Sequence, residues 1–290
     1  MRVLVIGGTG FIGQYIVQQL ARENHAVAVY HRGRTQAALS GNVCEILDPF
    51  SKMPIERFPK QAFDFEADAV VHTMAMGSAD ATAFVNAFTG QTGRLVLLSS
   101  GDVYLAYGRL TGLEPGPIEE GLLSEDAPLR KVLFPYREQA PTAESLEYWY
   151  EKLLAEQAVL AKSKSISTVL RLPKVYGPGS NQDLATVYRF SQQPQWRWTH
   201  GYVENVAAAV VLATTHSSAG GRVYNVGEAH TPTVAERLAY MPPSPMKPDR
   251  NNRFNFSQDM AYDTSRIRDE LGYREHVPEE EALAKTLTSR

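Results

Sequence analysis

The sequence predicts an α/β fold: a doubly wound parallel sheet with a small C-terminal lobe. Short apolar segments alternate with segments of helical periodicity through the first half of the chain. These segments are apolar along most of their length, which is typical of parallel strands covered by helices on both faces. The first of them, at 2–6, runs directly into a glycine-rich turn that opens a helix.

The predicted elements follow one another in a regular order as far as residue 104. Strands are predicted at 2–6, 26–30, 43–47, 69–72 and 94–99, and later at 167–172 and 222–226. Helices are predicted at 14–22, 81–88, 145–161, 203–214 and 263–271. Residues 105–143 are rich in glycine, proline and charge, which predicts a long irregular excursion near the binding site.

The composition of the chain limits which binding partners and which cellular compartment can be expected. The chain of 290 residues has a net charge of −3, which gives no electrostatic reason to expect nucleic acid or an anionic membrane. Its single cysteine, Cys44, is expected to be a small buried hydrophobe and allows no intrachain disulfide. No apolar run is long enough to span a bilayer, and a first strand at residue 2 leaves no room for a signal peptide. We therefore expect a cytoplasmic protein.

The glycine turn predicts a bound dinucleotide. Gly7 permits a tight turn after the strand, Gly10 lets a phosphate approach the backbone, and Gly13 lets the helix pack on the strand. With Phe11 and Ile12, these glycines start a helix whose unpaired N–H groups bind pyrophosphate. A purely structural strand–helix turn is the alternative.

The end of the second strand bears on the choice of cofactor. An NAD-selective site usually has an acidic residue there, which binds the ribose 2′-hydroxyl. This chain has His31 instead, followed by Arg32 and Arg34, and guanidinium groups suit a 2′-phosphate. We therefore expect NADP, with NAD as the alternative if both arginines are only solvated loop residues.

Three residues are candidates for chemistry. Tyr148 and Lys152 are four positions apart on a predicted helix, so their side chains would share one face. A neighbouring ammonium lowers the pKa of a phenol and so brings it into the range of acid–base catalysis. Ser100 follows the fifth strand, at the sheet edge where ligands bind, and its hydroxyl could bond a substrate oxygen. A surface pair on the helix and a serine that caps the strand end are the alternatives.

These motifs together resemble the extended short-chain dehydrogenase/reductases, which are the NAD-dependent epimerase/dehydratase family. The similar segments occur in family order over nearly the whole chain: GGTGFIG at 7–13, DAVVH at 68–72, SSGDVY at 99–104, YWYEKLLAEQ at 148–157, LRLPKVYGPG at 170–179, YVENVA at 202–207, YNVG at 224–227 and LGY at 271–273.

The resemblance implies a Rossmann-type fold and hydride transfer to or from a nicotinamide. It gives Ser100 the role of the catalytic serine, Tyr148 that of the acid/base, and Lys152 that of the lysine that also holds the nicotinamide ribose. Asp48, after the third strand, would contact the adenine. Residues 1–172 with 203–226 would form the cofactor-binding domain, and 173–202 with 227–290 the small substrate-binding lobe. A homodimer through a helix bundle would be usual in the family.

The substrate is less well defined by the resemblance. The segment between Gly179 and Tyr202 is shorter than in typical sugar-nucleotide enzymes, and Arg197 is one position out of register with their pyrophosphate-binding arginine. Tyr104 and Arg197 are the candidate substrate contacts. Two tryptophans, at 196 and 198, either stack on a ring substrate or close the small lobe. We expect a sugar-like or other small carbonyl or alcohol substrate.

A binding protein without catalytic activity is the competing hypothesis. Segments 99–105 and 199–203 also resemble the chloroplast stem-loop RNA-binding branch of the same family, many members of which lack the catalytic tyrosine. This chain has Tyr148, and its net charge of −3 argues against RNA. A cofactor-binding redox sensor that does not turn over is a further alternative.

Overall fold

Parallel strands form the centre of the protein, as seen in a computed structural model that describes residues 1–35, 37, 39, 41–181, 184–249 and 253–288. The strands in these residues are β1 (Arg2–Ile6), β2 (Ala26–His31), β3 (Cys44–Leu47), β4 (Ala69–His72), β5 (Arg94–Ser100), β6 (Ser167–Leu172), β7 (Lys174–Tyr176), β8 (His200–Tyr202) and β9 (Arg222–Asn225). Seven of them form one parallel sheet in the order β3-β2-β1-β4-β5-β6-β9.

Helices cover both faces of this sheet. The α-helices in the described residues are α1 (Phe11–Arg22), α2 (Lys60–Asp64), α3 (Ser78–Phe88), α4 (Leu105–Thr111), α5 (Leu146–Trp149), α6 (Lys152–Ser163), α7 (Ala185–Arg189), α8 (Val203–Thr215), α9 (Val234–Tyr240), α10 (Ser265–Leu271) and α11 (Glu279–Thr288). None of the described helices is both long and apolar enough to cross a bilayer.

The sheet is buried on both faces because its strands are apolar at successive positions. In β1, Val3 and Val5 pack towards α1 and α8, whereas Leu4 and Ile6 pack towards α3 and α6. All four side chains are fully buried. This arrangement confirms the predicted doubly wound α/β fold, and it brings the carboxyl ends of β1, β4 and β5 to one edge.

A third apolar cluster lies beyond that edge. It combines residues of the excursion, such as Tyr107 and Leu123, with Trp196, Phe190 and Met260 from the C-terminal half. A two-stranded parallel sheet of β7 and β8 belongs to this region. The cluster joins the excursion to the small lobe, so the far wall of the site comes from segments distant in sequence. The exact division into two domains stays a prediction.

Two details differ from the sequence analysis. Cys44 is exposed rather than buried, because β3 is the edge strand of the sheet and only Ile46 of that strand is buried. The excursion at 105–143 begins with a helix, α4, whose apolar residues enter the third cluster. The prediction of irregular structure was therefore wrong for 105–111.

The helix predicted at 145–161 is interrupted, and this difference changes the site. α5 ends at Trp149 and α6 begins at Lys152, and between them Glu151 has φ −157° and ψ 87°, outside the helical region. Tyr148 therefore lies on a different helix from Lys152. The expectation that the two side chains share one helix face was wrong.

A buried carboxylate causes the interruption. Glu151 caps α6 by accepting a hydrogen bond from Leu153 N at 3.0 Å, and it accepts another from Phe134 N at 2.5 Å. The same carboxylate pairs with Arg130 at 3.0 Å, and both side chains are completely buried. Arg130 also donates from Nε to the carbonyl of Asp102. This ion pair fastens the excursion to the start of α6.

Loss of the Glu151 charge should destabilise the fold. We expect Glu151→Gln to lower the free energy of unfolding by about 3–5 kcal/mol, since it leaves the Arg130 charge buried without its partner. Urea unfolding measures the change. Glu147→Gln is the matched control, because Glu147 lies on α5 and is exposed. Equal stability of the two variants would contradict the buried pair as a structural element.

Candidate functional site

The glycine turn and the carboxyl ends of the central strands enclose a cavity of about 300 Å³. Gly7, Gly10, Phe11, Ile12 and Gly13 all line it, as the sequence predicted. The opposite walls come from residues that follow β4, from the end of β5 and from the start of α6.

The glycines show that this cavity fits a phosphate ligand. A Cβ at Gly13 would lie 2.4 Å from the carbonyl oxygen of Gly7, so close packing requires glycine at position 13. Gly7 has φ +83°, so the geometry of the turn requires glycine at position 7. A Cβ at Gly10 would have the carbonyl oxygen of Gly7 as its nearest neighbour, at 3.5 Å, so the protein itself leaves room for a side chain there. Gly10 is also the N-cap of α1 and makes no side-chain capping bond. Close approach of a phosphate to the helix N-terminus accounts for this glycine.

A smaller cavity of about 70 Å³ continues from the turn towards the end of β2. His31, Arg32 and Arg34 line it. Burial, and then the nearby charge of Arg34, lower the pKa of Arg32. Asp48 is not among the residues that line this cavity, and its carboxylate accepts hydrogen bonds from Tyr30 Oη at 3.2 Å and Phe50 N at 3.2 Å.

Lys152 faces the larger cavity from the first position of α6. Its buried Nζ donates to the carbonyl oxygens of Ala75 and Leu98, each at 2.8 Å. An ammonium has three N–H donors, so one remains for a ligand in the cavity. Burial lowers the pKa of Lys152 to about 8. This geometry fits a lysine that holds the hydroxyls of a nicotinamide ribose.

Tyr150, and not Tyr148, is the tyrosine that the structure brings to this site. Tyr150 lines the cavity together with Ser100 and Lys152. The side chain of Tyr148 is on the surface, 39% exposed, where its ring lies 4.8 Å from the guanidinium carbon of Arg137. The interruption at Glu151 turns the two tyrosines in different directions.

Asp102 connects Tyr150 to the excursion. Its Oδ2 accepts hydrogen bonds from Tyr150 Oη at 3.0 Å and from Tyr136 Oη at 2.9 Å. Its Oδ1 is buried and has no hydrogen-bond partner in the described residues. Burial raises the pKa of Asp102. Burial, followed by the Asp102 charge, holds the pKa of Tyr150 well above its usual range, while the nearby Ser100 hydroxyl acts in the opposite direction.

A second cavity, of about 450 Å³, meets the first at Ser100. It extends between the excursion and the small lobe, and Asp102, Tyr136, Lys174 and Trp198 are among its lining residues. Trp196 is buried, and its indole N–H donates a hydrogen bond to the carbonyl oxygen of Gln258 at 2.8 Å. Trp196 thus closes the lobe, whereas Trp198 lines the cavity, and stacking of Trp198 on a substrate ring stays a prediction.

The two predicted substrate contacts do not line this cavity. Tyr104 is fully buried and donates from Oη to Asn225 Oδ1 at 2.6 Å. Arg197 is not among the residues that line the cavity, and its backbone N–H donates to Asp259 Oδ1 at 3.0 Å. The cations that do line the cavity are Lys174 and Arg189.

Sequence reasoning missed Tyr150, Asp102, Lys174 and Arg189. The sequence did place Asp102 two residues after Ser100 and Tyr150 two residues before Lys152, so proximity in the chain was an available signal. No comparable signal pointed to Arg189. The described residues contain no cluster of three or more histidine, cysteine or acidic side chains that could hold a metal ion.

Comparison with known proteins bears on the fold and the family. The model of the NAD dependent epimerase/dehydratase family matches residues 3–114 and 124–227. The search of curated proteins gave no match.

Several solved structures share the fold over the whole chain. A UDP-glucose 4-epimerase from Thermotoga maritima, solved with UDP-glucose, is 18% identical, with a TM-score of 0.70 over 100% of this chain and 98% of that one. A UDP-glucose 4-epimerase from Thermus thermophilus, in complex with NAD, is 20% identical, with a TM-score of 0.65 over 100% and 98%. A dTDP-glucose 4,6-dehydratase from Bacillus anthracis, also in complex with NAD, is 16% identical, with a TM-score of 0.71 over 100% and 96%.

The titration of Lys152 predicts a pH dependence of cofactor binding. Below about pH 8 the side chain is an ammonium with a third donor for the ribose; above it, the neutral amine keeps only the two N–H groups that Ala75 and Leu98 occupy. We expect the affinity for the reduced cofactor to fall about tenfold as the pH rises through about 8, since a hydrogen bond to a charged group is worth about 1.5–3 kcal/mol. Titration of cofactor fluorescence on both sides of pH 8 measures it.

Lys152→Met tests the origin of this dependence. The variant should bind weakly at both pH values and lose the dependence, whereas Lys162→Met, at an exposed position of the same helix, should retain it. An unchanged pH profile in Lys152→Met would assign the titration to another group.

Proposed function

The chain belongs to the NAD-dependent epimerase/dehydratase family, and from that premise we propose that it is an oxidoreductase or epimerase acting on a sugar-like or other small carbonyl or alcohol substrate. One observation carries the proposal: the glycine-turn cavity and the second cavity meet at Ser100, beside Tyr150 and Lys152. A nicotinamide dinucleotide would occupy the first cavity, held by the glycine turn and Lys152. When bound, it supplies or takes up the hydride.

Ser100 and Tyr150 would act on the substrate oxygen. Ser100 lines both cavities, and Tyr150 lines the first one beside it, with its hydroxyl bonded to Asp102 of the second. Ser100 would orient that oxygen by donating a hydrogen bond. Tyr150 would give its proton to the oxygen when a carbonyl is reduced, and would take the proton back when an alcohol is oxidised. This proposal replaces Tyr148 with Tyr150 in the predicted serine–tyrosine–lysine set.

The surroundings of Tyr150 keep its hydroxyl protonated. Burial and the Asp102 carboxyl raise the pKa of Tyr150, so the phenol carries its proton at neutral pH. The Lys152 ammonium, which would oppose this effect, is directed towards the carbonyls of Ala75 and Leu98. The phenol thus holds the proton that reduction of a carbonyl consumes, and its hydrogen bond to Asp102 would open before that proton passes to the substrate oxygen.

NADP is the cofactor that the charges at the end of β2 favour. Arg32 and Arg34 line the small cavity next to the glycine turn, and no acidic residue stands at the position of His31. Glu45 lies 3.5 Å from His31 Nε2, but that carboxylate is largely exposed on the edge strand. The similar structures solved with NAD come from other proteins, and this pair of arginines belongs to this chain.

Two tyrosine variants test the proposed mechanism. Substrate screening with purified protein, followed by the absorbance of reduced nicotinamide, first identifies a substrate that turns over. We then expect Tyr150→Phe to lower kcat by about 10²-fold or more, since it removes the proton donor. Tyr148→Phe should leave kcat unchanged, because its side chain is on the surface. The opposite pattern would return the acid/base role to Tyr148.

A double variant tests the cofactor preference. Arg32→Ser/Arg34→Ser should weaken the binding of NADPH by about 10- to 100-fold through the loss of charge-assisted hydrogen bonds to the 2′-phosphate. NADH has no such phosphate, so its affinity should not change. Isothermal titration of both cofactors measures the ratio. Equal weakening of both would mean that the arginines only support the loop.

A further inference from the structure

A single buried carboxylate joins the two cavities that would hold the cofactor. Asp80, in the first turn of α3, has no exposed surface. Its Oδ1 accepts a hydrogen bond from Ile55 N at 2.5 Å, and its Oδ2 accepts one from Met76 N at 3.0 Å. Ile55 lines the small cavity at the end of β2, whereas Met76 lines the larger cavity that Lys152 faces. One side chain therefore holds a wall residue of each cavity.

The segment at 52–58 depends on Asp80 for its polar attachment. In the described part of the chain, residues 52–58 make no hydrogen bond other than the one from Ile55 N. An apolar contact adds to it, since the Phe58 ring packs against Tyr30 with 5.9 Å between the ring centres. The position of the Ile55 wall is thus determined largely by one carboxylate oxygen.

On the other side of Asp80, Met76 connects the carboxylate to the start of α6. The carbonyl oxygen of Met76 accepts a hydrogen bond from Glu151 N at 2.7 Å, and that of Ala75 accepts one from Lys152 Nζ at 2.8 Å. A chain of hydrogen bonds therefore runs from the wall of the small cavity to the lysine of the larger one. Asp80 supports both walls without lining either cavity itself.

Asp80 relies on backbone groups rather than on an ion pair. Within the described ranges it forms no ion pair with a basic side chain, whereas the buried Glu151 and Glu156 each pair with an arginine. Burial raises the pKa of Asp80, and its backbone hydrogen bonds and then the charge of Lys152 oppose that rise. Burying such a carboxylate is costly, and the hydrogen bonds to the two segments offset the cost. They are therefore the interactions that hold this side chain in place.

We propose that Asp80 is a positioning residue that couples the two halves of the cofactor site, so that a ligand in one half prepares the other half for binding. This inference rests on the proposed function in one respect, since it takes the cofactor to span both cavities. A ligand that orders the Ile55 segment also orders Met76 through the shared carboxylate, and the second ligand then loses less conformational entropy. The gain in affinity is the same in either order of binding.

Two fragments of the cofactor measure this coupling: adenosine 5′-phosphate for the adenine half, and uncharged reduced nicotinamide riboside for the nicotinamide half. The riboside is fluorescent, so its affinity can be titrated with and without saturating adenosine 5′-phosphate. We expect the second fragment to tighten binding of the riboside about fivefold or more, which is the lower end of the usual coupling between two sites.

Asp80→Asn should abolish the coupling while it preserves the shape of the side chain. The single acceptor oxygen of the amide can serve either Ile55 or Met76, and its NH2 group then faces the other N–H donor. The ratio of the two riboside affinities should fall to about one. A loss of stability alone would lower both affinities and leave their ratio unchanged.

Glu114→Gln is the matched control. Glu114 is also a buried carboxylate that accepts hydrogen bonds from two backbone N–H groups, at 2.7 and 2.8 Å, but these belong to the excursion. It lies outside both cofactor cavities. The control should retain the ratio of the unmodified chain.

Hydrogen exchange tests the same coupling without a variant. In the unmodified chain, the riboside alone should slow exchange of the Ile55 amide, and adenosine 5′-phosphate alone should slow that of Met76. The inference is overturned if the unmodified chain gives a ratio of about one, if Asp80→Asn keeps the ratio, or if each fragment protects only the amide on its own side.

The binding experiments do not depend on turnover, so this inference and the proposed function fail separately. Coupled binding in a chain that transfers no hydride would contradict the proposed function alone. Hydride transfer in a chain whose two fragments bind independently would contradict this inference alone. A chain that binds neither fragment would overturn both.

Discussion

The carboxylate of Glu151 fixes the relation between the cofactor side of the site and the excursion that covers it. It is buried, it caps α6, and it pairs with Arg130 from a segment 21 residues earlier in the chain. Because a buried charge must be compensated, the chain around it has little freedom to move. The backbone of Glu151 is held as well, by a hydrogen bond to Met76 O at 2.7 Å. Tyr150 and Lys152, its immediate neighbours, therefore take fixed positions.

A second buried ion pair supports the other side of the same helix. Arg171 on β6 binds Glu156 on α6 at 2.8 Å, and Ser99 at the end of β5 donates to the same carboxylate at 2.5 Å. This network ties α6 to two strands at the level of Ser100. Ser100, Tyr150 and Lys152 are thus held between two charge networks, one from the sheet and one from the excursion. Such support is what keeps hydroxyl groups in position for proton transfer.

The sequence predicted the sheet well because each strand carries its own signal. The strands at 69–72 and 167–172 agree with the structure at both ends, since continuous apolar runs leave few alternatives. The interruption before Lys152 had no such local signal. Glutamate favours helices, and contacts with distant residues, Arg130 and Met76 among them, hold Glu151 as an N-cap instead. Spacing along the chain therefore predicted Tyr148 as the tyrosine of the site, whereas tertiary contacts bring Tyr150 into the cavity.

The same contrast explains why the cofactor was easier to predict than the substrate. One wall of the cofactor cavity is a single strand–turn–helix unit, whose glycine pattern can be recognised in the sequence without knowledge of the other walls. The second cavity is assembled from the excursion, β7, α7 and the segment around Phe254, which meet only in the folded chain. Charges on these segments can change without disturbing the sheet, because they face the cavity and not the core. The lining of this cavity can therefore change while the strand order and the glycine turn stay fixed, which is why sequence motifs identified the first cavity and not the second.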